Sequence, residues 1–139
     1  IALACGIAIG LEYGDNTIAA LITRGLLEIS RLGIESGANG QTFYGLTGLG
    51  DLFVTCSSTH SRNRSCGILI GKGLPIEEAK KKVGMVVEGI SAVEGAYALA
   101  RKYDVYTPII DEMYAIIHHG KTPQEATEAL MTKGRKNEM

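Results

Sequence analysis

Residues 15–38 read DNTIAALITRGLLEISRLGIESGA, and this stretch decides the fold class. Ile18, Ile22, Gly25, Ile29 and Leu32 recur at spacings of three and four, which sets them on one side of a helix. Arg24, Glu28, Arg31 and Glu35 alternate in sign at the same spacings, the pattern of a solvated opposite face. Asp15 suits an N-cap and Gly37 a C-terminal stop, so a helix of about 20 residues is predicted.

Working outward, the rest of the chain carries helical punctuation as well. Upstream, Ile1 to Tyr13 is apolar all round and short, the composition of a buried helix. Downstream, Pro75 opens a short charged helix ending in Lys80-Lys81-Lys82, cations that the negative end of the helix dipole favours. Glu88 to Tyr103 places Ile90, Val93, Tyr97 and Ala100 at helical spacing. Thr107-Pro108 starts a segment with Ile109, Ile110, Met113, Ile116 and Ile117 on one side, closed by Gly120. Proline at the first helical position loses nothing, because its missing N–H would have had no partner. Thr122-Pro123 repeats the device, and Thr122 with Glu125 spells a capping box. Phe53-Val54-Thr55 and Met85-Val86-Val87 are β-prone but too short to anchor a sheet. At a typical helix length of about 11–12 residues, the expectation is an all-α, bundle-like domain of roughly seven to nine helices, with no internal repeat or linker.

At 139 residues and 14.8 kDa the chain is long enough for one domain with its own core. Hydrophobic residues at 45% and charged residues at 21% exclude a disordered tail. Fourteen Lys plus Arg against fifteen Asp plus Glu leave a net charge of −1, which lacks the electrostatic footprint of a nucleic-acid binder while leaving room for a local basic spot aimed at a small anion. Cys5, Cys56 and Cys66 form no CxxC pair, so a reducing, cytoplasmic setting is expected rather than a disulfide framework. The longest apolar run, Ile1 to Leu11, is about half of the roughly 20 residues a membrane span needs. Starting at Ile1 inside an apolar pattern, without an initiating Met, the chain is expected to be a piece of a longer protein.

Chemistry concentrates in GLTGLGDLFVTCSSTHSRNRSCGILIGKG, residues 45–73. Gly45, Gly48 and Gly50 lead into Asp51, and Ser61-Arg62-Asn63 precedes the apolar run Ile68 to Ile70. Free backbone N–H groups at a helix start favour an anion, and an arginine adds a fork of donors matched to phosphate. The residues alone fit a plain alternative equally well, an N-cap serine beside two solvated arginines. His60 in the same loop is a candidate acid or base, although a lone loop histidine is more often solvated. His118-His119 reads as a cation at a helix C-terminus rather than a metal ligand pair, and no His/Cys/Asp spacing resembles a zinc site. Cys56 and Cys66 read as structural thiols. The phosphate-loop motifs fail: GxGxxG would need glycine where Phe53 stands, and Gly67 to Lys72 is one residue short of a Walker A loop.

The stretch from Gly48 to Ser65 resembles one family. In order, IALACGIAIGLEYGDNTIAALITRGLLEISRLG, GLTGLGDLFVTCSSTHSRNRSCG, VVEGI and the Thr-Pro-Ile helix are similar to the C-terminal, substrate-binding domain of bacterial-type NAD(P)-dependent glycerol-3-phosphate dehydrogenase. The resemblance covers essentially the whole chain, residues 1–139, and implies an all-helical domain whose partner, an N-terminal Rossmann domain, holds most of the NAD or NADP. It implies interconversion of dihydroxyacetone phosphate and sn-glycerol 3-phosphate, feeding glycerophospholipid synthesis, with a possible homodimer as the assembly. It also implies roles: Asp51 at the reacting end of the site; Thr55, Ser61, Arg62 and Asn63 on the substrate; Arg62, Val86 and Glu88 on the cofactor. The proton-donating lysine of the family's Lys-Asn pair is expected just upstream of Ile1, so the chain by itself is expected to be inactive. Two other classes stay open from the residues: a different β-hydroxyacid-type dehydrogenase, which SRN after GLGD does not favour, and a non-catalytic helical interaction module, which would have no convergent Arg-Asn-Asp set.

Overall fold

The apolar opening segment forms helix α1 (Ala2–Gly10), and every residue from Ala2 to Ala8 is buried. The computed structural model describes residues 1–133. The helices that follow are α2 (Asp15–Glu35), α3 (Asp51–Ser57), α4 (Arg62–Gly71), α5 (Ile76–Val83), α6 (Glu88–Lys102), α7 (Pro108–His118) and α8 (Pro123–Lys133), with no strand among the described residues. A 3-10 turn over Gly40–Tyr44 and a π turn over Leu46–Gly50 carry the chain into α3. The β-prone Phe53-Val54-Thr55 lies inside α3, since a run of three residues is too short to set a strand.

Helix α1 is the centre of the fold. Its Leu3 and Ile7 meet Leu21 of α2, Ile70 of α4, Ile109 of α7 and Leu130 of α8 in one core, and each such side chain contributes about 1.5–3 kcal/mol when fully buried. Against α4 the contact is backbone on backbone. A Cβ on Gly6 would fall on the carbonyl oxygen of Arg64 and one on Gly67 on that of Leu3. One on Gly10 would strike Ile68, and one on Gly71 would strike Ile7. Two glycines four residues apart on each helix therefore let the axes close up and pin α4, whose first turn carries the Ser61-Arg62-Asn63 run.

The second helix differs from its sequence reading in two respects. Asp15 is not the N-cap; Gly14 takes that place in an extended conformation, without a side-chain cap, and Asp15 serves as the acidic residue of the first turn. The far end agrees, with Gly37 at φ +98° just past the Ser36 C-cap. More consequentially, the charged face is solvated only in part: Glu35 is exposed, but Glu28 is not. Glu28 is 1% exposed, and its carboxylate accepts hydrogen bonds from Ile109 N (2.6 Å) and Ile110 N (3.1 Å). Pro108 opens α7 there, and the cap residue Thr107 gives no side-chain cap bond, so the first N–H groups need an outside acceptor. Glu28 supplies it at the positive end of the α7 dipole. Burial pushes its carboxyl up to about 7, against the opposing pull of the two backbone donors. Arg24 is also tied down, donating to the carbonyl of Leu130 at 2.9 Å.

Elsewhere the punctuation works as read. Thr122 Oγ1 accepts from Glu125 N (3.1 Å) while Glu125 Oε2 accepts from Thr122 N (3.3 Å), a complete capping box at α8. Tyr97 of α6 stacks on Tyr114 of α7 at 3.8 Å between ring centroids. His118 extends that stack, and its Nε2 lies 2.9 Å from Glu94 Oε1. The histidine sits in the last turn of α7, as the sequence indicated, and from there also bridges to α6.

Candidate functional site

The site begins at the first turn of α4. Ser61, in an extended conformation, accepts a hydrogen bond from Arg64 N at 3.2 Å, which makes it the N-cap the sequence indicated. Just before it, Ser58 Oγ accepts from His60 N at 3.1 Å and folds the Ser57–Ser61 turn back on itself. The turn opens on a cleft of about 300 Å³ lined by Val54, Thr55, Ser58, His60, Ser61, Arg62, Asn63, Val86 and Glu88. Thr55, Ser61, Arg62, Asn63, Val86 and Glu88 come from three separate segments of sequence and meet here.

Asp51 stands next door. It lines a second, more apolar cavity of about 480 Å³ together with Ile1, Thr47, Thr55, Asn63 and Gly89. Thr55 and Asn63 border both spaces, so the two are neighbours separated by these side chains. Asp51 is exposed in the first turn of α3, where the dipole favours a carboxylate. Thr55 Oγ1 donates to the Asp51 carbonyl at 2.8 Å, which commits its hydrogen and leaves its lone pairs to accept.

The cleft holds charges of both signs, the Arg62 guanidinium and the Glu88 carboxylate, and no ion pair joins them. The Arg62 side chain is exposed and makes no hydrogen bond or ion pair among the described residues. It projects from a helix N-terminus, whose backbone donors and dipole add to its attraction for an anion. Asn63 reaches away from α4, and its Oδ1 accepts from Gly89 N at 2.8 Å in the first turn of α6. Val86 is 71% exposed at the rim, an apolar side chain without intramolecular cover.

Three residues of the site were not singled out in the sequence. Val54 and Ser58 line the cleft because α3 and the turn after it face α4, which no local signal announces. Gly89 sits within the VVEGI segment, and the signal for it was the glycine itself in the first turn of a helix. Of the remaining candidates, His60 lines the cleft and the cysteines do not. All three cysteines are buried and unpaired in disulfides, and a hydrogen bond to Cys56, then burial, push the Cys5 thiol up, so it is not a thiolate nucleophile. Among the described residues no group of three His, Cys, Asp or Glu is placed to hold a metal ion, and no helix is long and apolar enough to cross a membrane.

Fold and cleft together define a helical domain in which an unpaired arginine and two helix N-termini meet at an open polar cleft. Comparison with known proteins gives that class its family. The family model for the NAD-dependent glycerol-3-phosphate dehydrogenase C-terminus matches residues 1–128. The chain is 58% identical over 138 residues to the NAD(P)+ glycerol-3-phosphate dehydrogenase of Agathobacter rectalis, covering 99% of this chain and 41% of that protein. Its identity to the Bacillus pumilus enzyme of the same name is 55% over 139 residues, covering 100% of this chain and 40% of the relative. The crystal structure of glycerol-3-phosphate dehydrogenase from Coxiella burnetii superposes with a TM-score of 0.91 at 41% identity, over 94% of this chain and 40% of that one. The chain belongs to the NAD-dependent glycerol-3-phosphate dehydrogenase C-terminal family, and it spans about two fifths of the length of the curated relatives it matches.

Proposed function

We propose that this chain is the substrate-binding helical domain of an NAD(P)-dependent enzyme that interconverts dihydroxyacetone phosphate and sn-glycerol 3-phosphate. A separate dinucleotide-binding domain holds most of the cofactor, and the product feeds glycerophospholipid synthesis. The observation that carries this reading is the convergence of Thr55, Ser61, Arg62, Asn63, Val86 and Glu88 on one cleft around an unpaired guanidinium. Cytoplasmic location and a homodimer belong to the same proposal.

In this reading Arg62 grips the substrate phosphate with a forked pair of donors, on the positive end of α4. The cleft residues fit a nicotinamide cofactor at its open side: Arg62 as cation, Glu88 as acceptor and Val86 as apolar cover, exposed where a flat ring needs a partner. When bound, that cofactor supplies hydride to the ketone or takes it from the alcohol. Reduction leaves negative charge on the former carbonyl oxygen, and a positioned acid must protonate it. The family resemblance implies a lysine as that acid. Asp51, which lines the neighbouring cavity, supplies the carboxylate that orients its ammonium.

The test is direct. A full-length protein carrying this domain oxidises NADH or NADPH when given dihydroxyacetone phosphate, and the 139-residue chain alone gives no turnover. No turnover from the full-length protein with either cofactor, or turnover by the chain alone, contradicts the proposal.

A further inference from the structure

Asn63 stands between the two cavities with its carboxamide already half engaged. The partner of its Oδ1 is a backbone N–H, that of Gly89 at 2.8 Å. A backbone N–H can only donate, so the atom facing it must be the amide oxygen and the NH2 must face the other way. The α6 N-terminus needs this acceptor, since its own cap residue Val87 provides no side-chain bond. Gly89 also sets the distance. A Cβ at that position would lie 2.7 Å from Asn63 Oδ1 and 3.0 Å from its Cγ, closer than side-chain atoms approach without moving. The obstacle is the tip of a side chain rather than backbone, so the amide would swing away while the helices stay in place.

We propose that Gly89 is a positioning residue for the substrate: through its N–H and its missing side chain it locks the Asn63 amide so that Nδ2 is presented to the cleft as a donor. Asn63 can then bind only a group that accepts hydrogen bonds there, such as a phosphate or hydroxyl oxygen. The inference rests on the substrate reading given above and adds to it how the polarity of one contact is fixed.

The experiment compares wild type, Gly89→Ala, Asn63→Ala, the double variant and Asn63→Asp in the full-length protein, reading KM and kcat for dihydroxyacetone phosphate and the melting temperature. Gly89→Ala is expected to raise KM for dihydroxyacetone phosphate about tenfold or more, the loss of one hydrogen bond to a charged group, with kcat changed less. Its melting temperature should hold or rise, because alanine is the better helix former. In the Asn63→Ala background the same substitution should have no further effect on KM, since the residue it acts through is gone. Asn63→Asp keeps an oxygen toward Gly89 N–H but turns a second oxygen to the cleft. It is expected to fold as wild type and to raise KM more than Gly89→Ala does. This variant carries the test if Gly89→Ala does not fold. An unchanged KM in Gly89→Ala or Asn63→Asp, or additive effects in the double variant, overturns the positioning role while leaving the substrate reading intact. A wild-type protein that does not turn over dihydroxyacetone phosphate overturns both.

Discussion

Two helix N-termini in this domain meet a charged side chain, with opposite outcomes. At α7 the charge is Glu28, buried, and the chain fills the anion-binding end of the helix with its own carboxylate. At α4 the charge is Arg62, exposed and unpaired, and the same kind of helix end faces an open cleft. The first arrangement is self-satisfied and joins α2 to α7. The second leaves an exposed guanidinium without a partner in the fold, in a cleft that the Glu88 carboxylate also lines. A helix N-terminus therefore says little about function until it is known whether the chain itself occupies it.

The largest expected effect breaks the closed end. Glu28→Leu removes both acceptors and leaves two buried N–H groups unpaired, each costing about 1–3 kcal/mol, so urea unfolding of the chain should show a loss of about 2–6 kcal/mol. A loss below about 1 kcal/mol would mean that Glu28 does not hold α7.

A pH series sharpens the same end. Burial raises the Glu28 carboxyl from its ordinary 4.5 to about 7, so between those values the folded state holds a proton that the unfolded state has released. Stability from this group is then fully present below about pH 4.5 and declines as pH rises through 7, by about 3 kcal/mol at 1.36 kcal/mol per pH unit. Melting temperature should fall between pH 5 and pH 8 in wild type, and Glu28→Gln, which cannot ionise, should flatten that part of the profile. An identical slope in both proteins would assign the dependence to other groups.

Smaller effects mark the periphery. Thr122→Ala breaks the exposed capping box at α8 and should cost about 1 kcal/mol in the same unfolding experiment. Arg62→Lys should leave stability within about 0.5 kcal/mol of wild type, because Arg62 has no partner in the fold to lose. A large destabilisation by that substitution would make the open end structural too, and the contrast between the two ends would disappear.

The contrast was only partly legible in the sequence. Periodicity and the Thr-Pro and glycine punctuation located the helices, because those signals act within one turn of chain. Ser61 was readable as a cap for the same reason, and the family resemblance put Asp51, Thr55, Ser61, Arg62, Asn63, Val86 and Glu88 on the list of candidates. Glu28 was misread, since alternating charge on a helix face describes solvation only while no other helix arrives there, and the N–H groups that claim it lie 81 and 82 residues away. The crossing of α1 and α4 was hidden too. Gly6, Gly10, Gly67 and Gly71 acquire meaning only once the two helices are known to touch. Gly89 belongs to the same class, as its role depends on Asn63, 26 residues earlier.

We propose that the open helix end with Arg62 receives the phosphate of the substrate, and Arg62→Lys in the full-length protein decides the point. Lysine keeps the charge but loses the planar fork and its second parallel hydrogen bond. Catalytic efficiency with dihydroxyacetone phosphate should fall about 10- to 100-fold, the equivalent of roughly 1.5–3 kcal/mol for a hydrogen bond to a charged group. Dihydroxyacetone, which has no phosphate to grip, should lose much less between the arginine and lysine forms. If both substrates lose efficiency by the same factor, Arg62 is not the phosphate clamp and the account of the cleft is wrong.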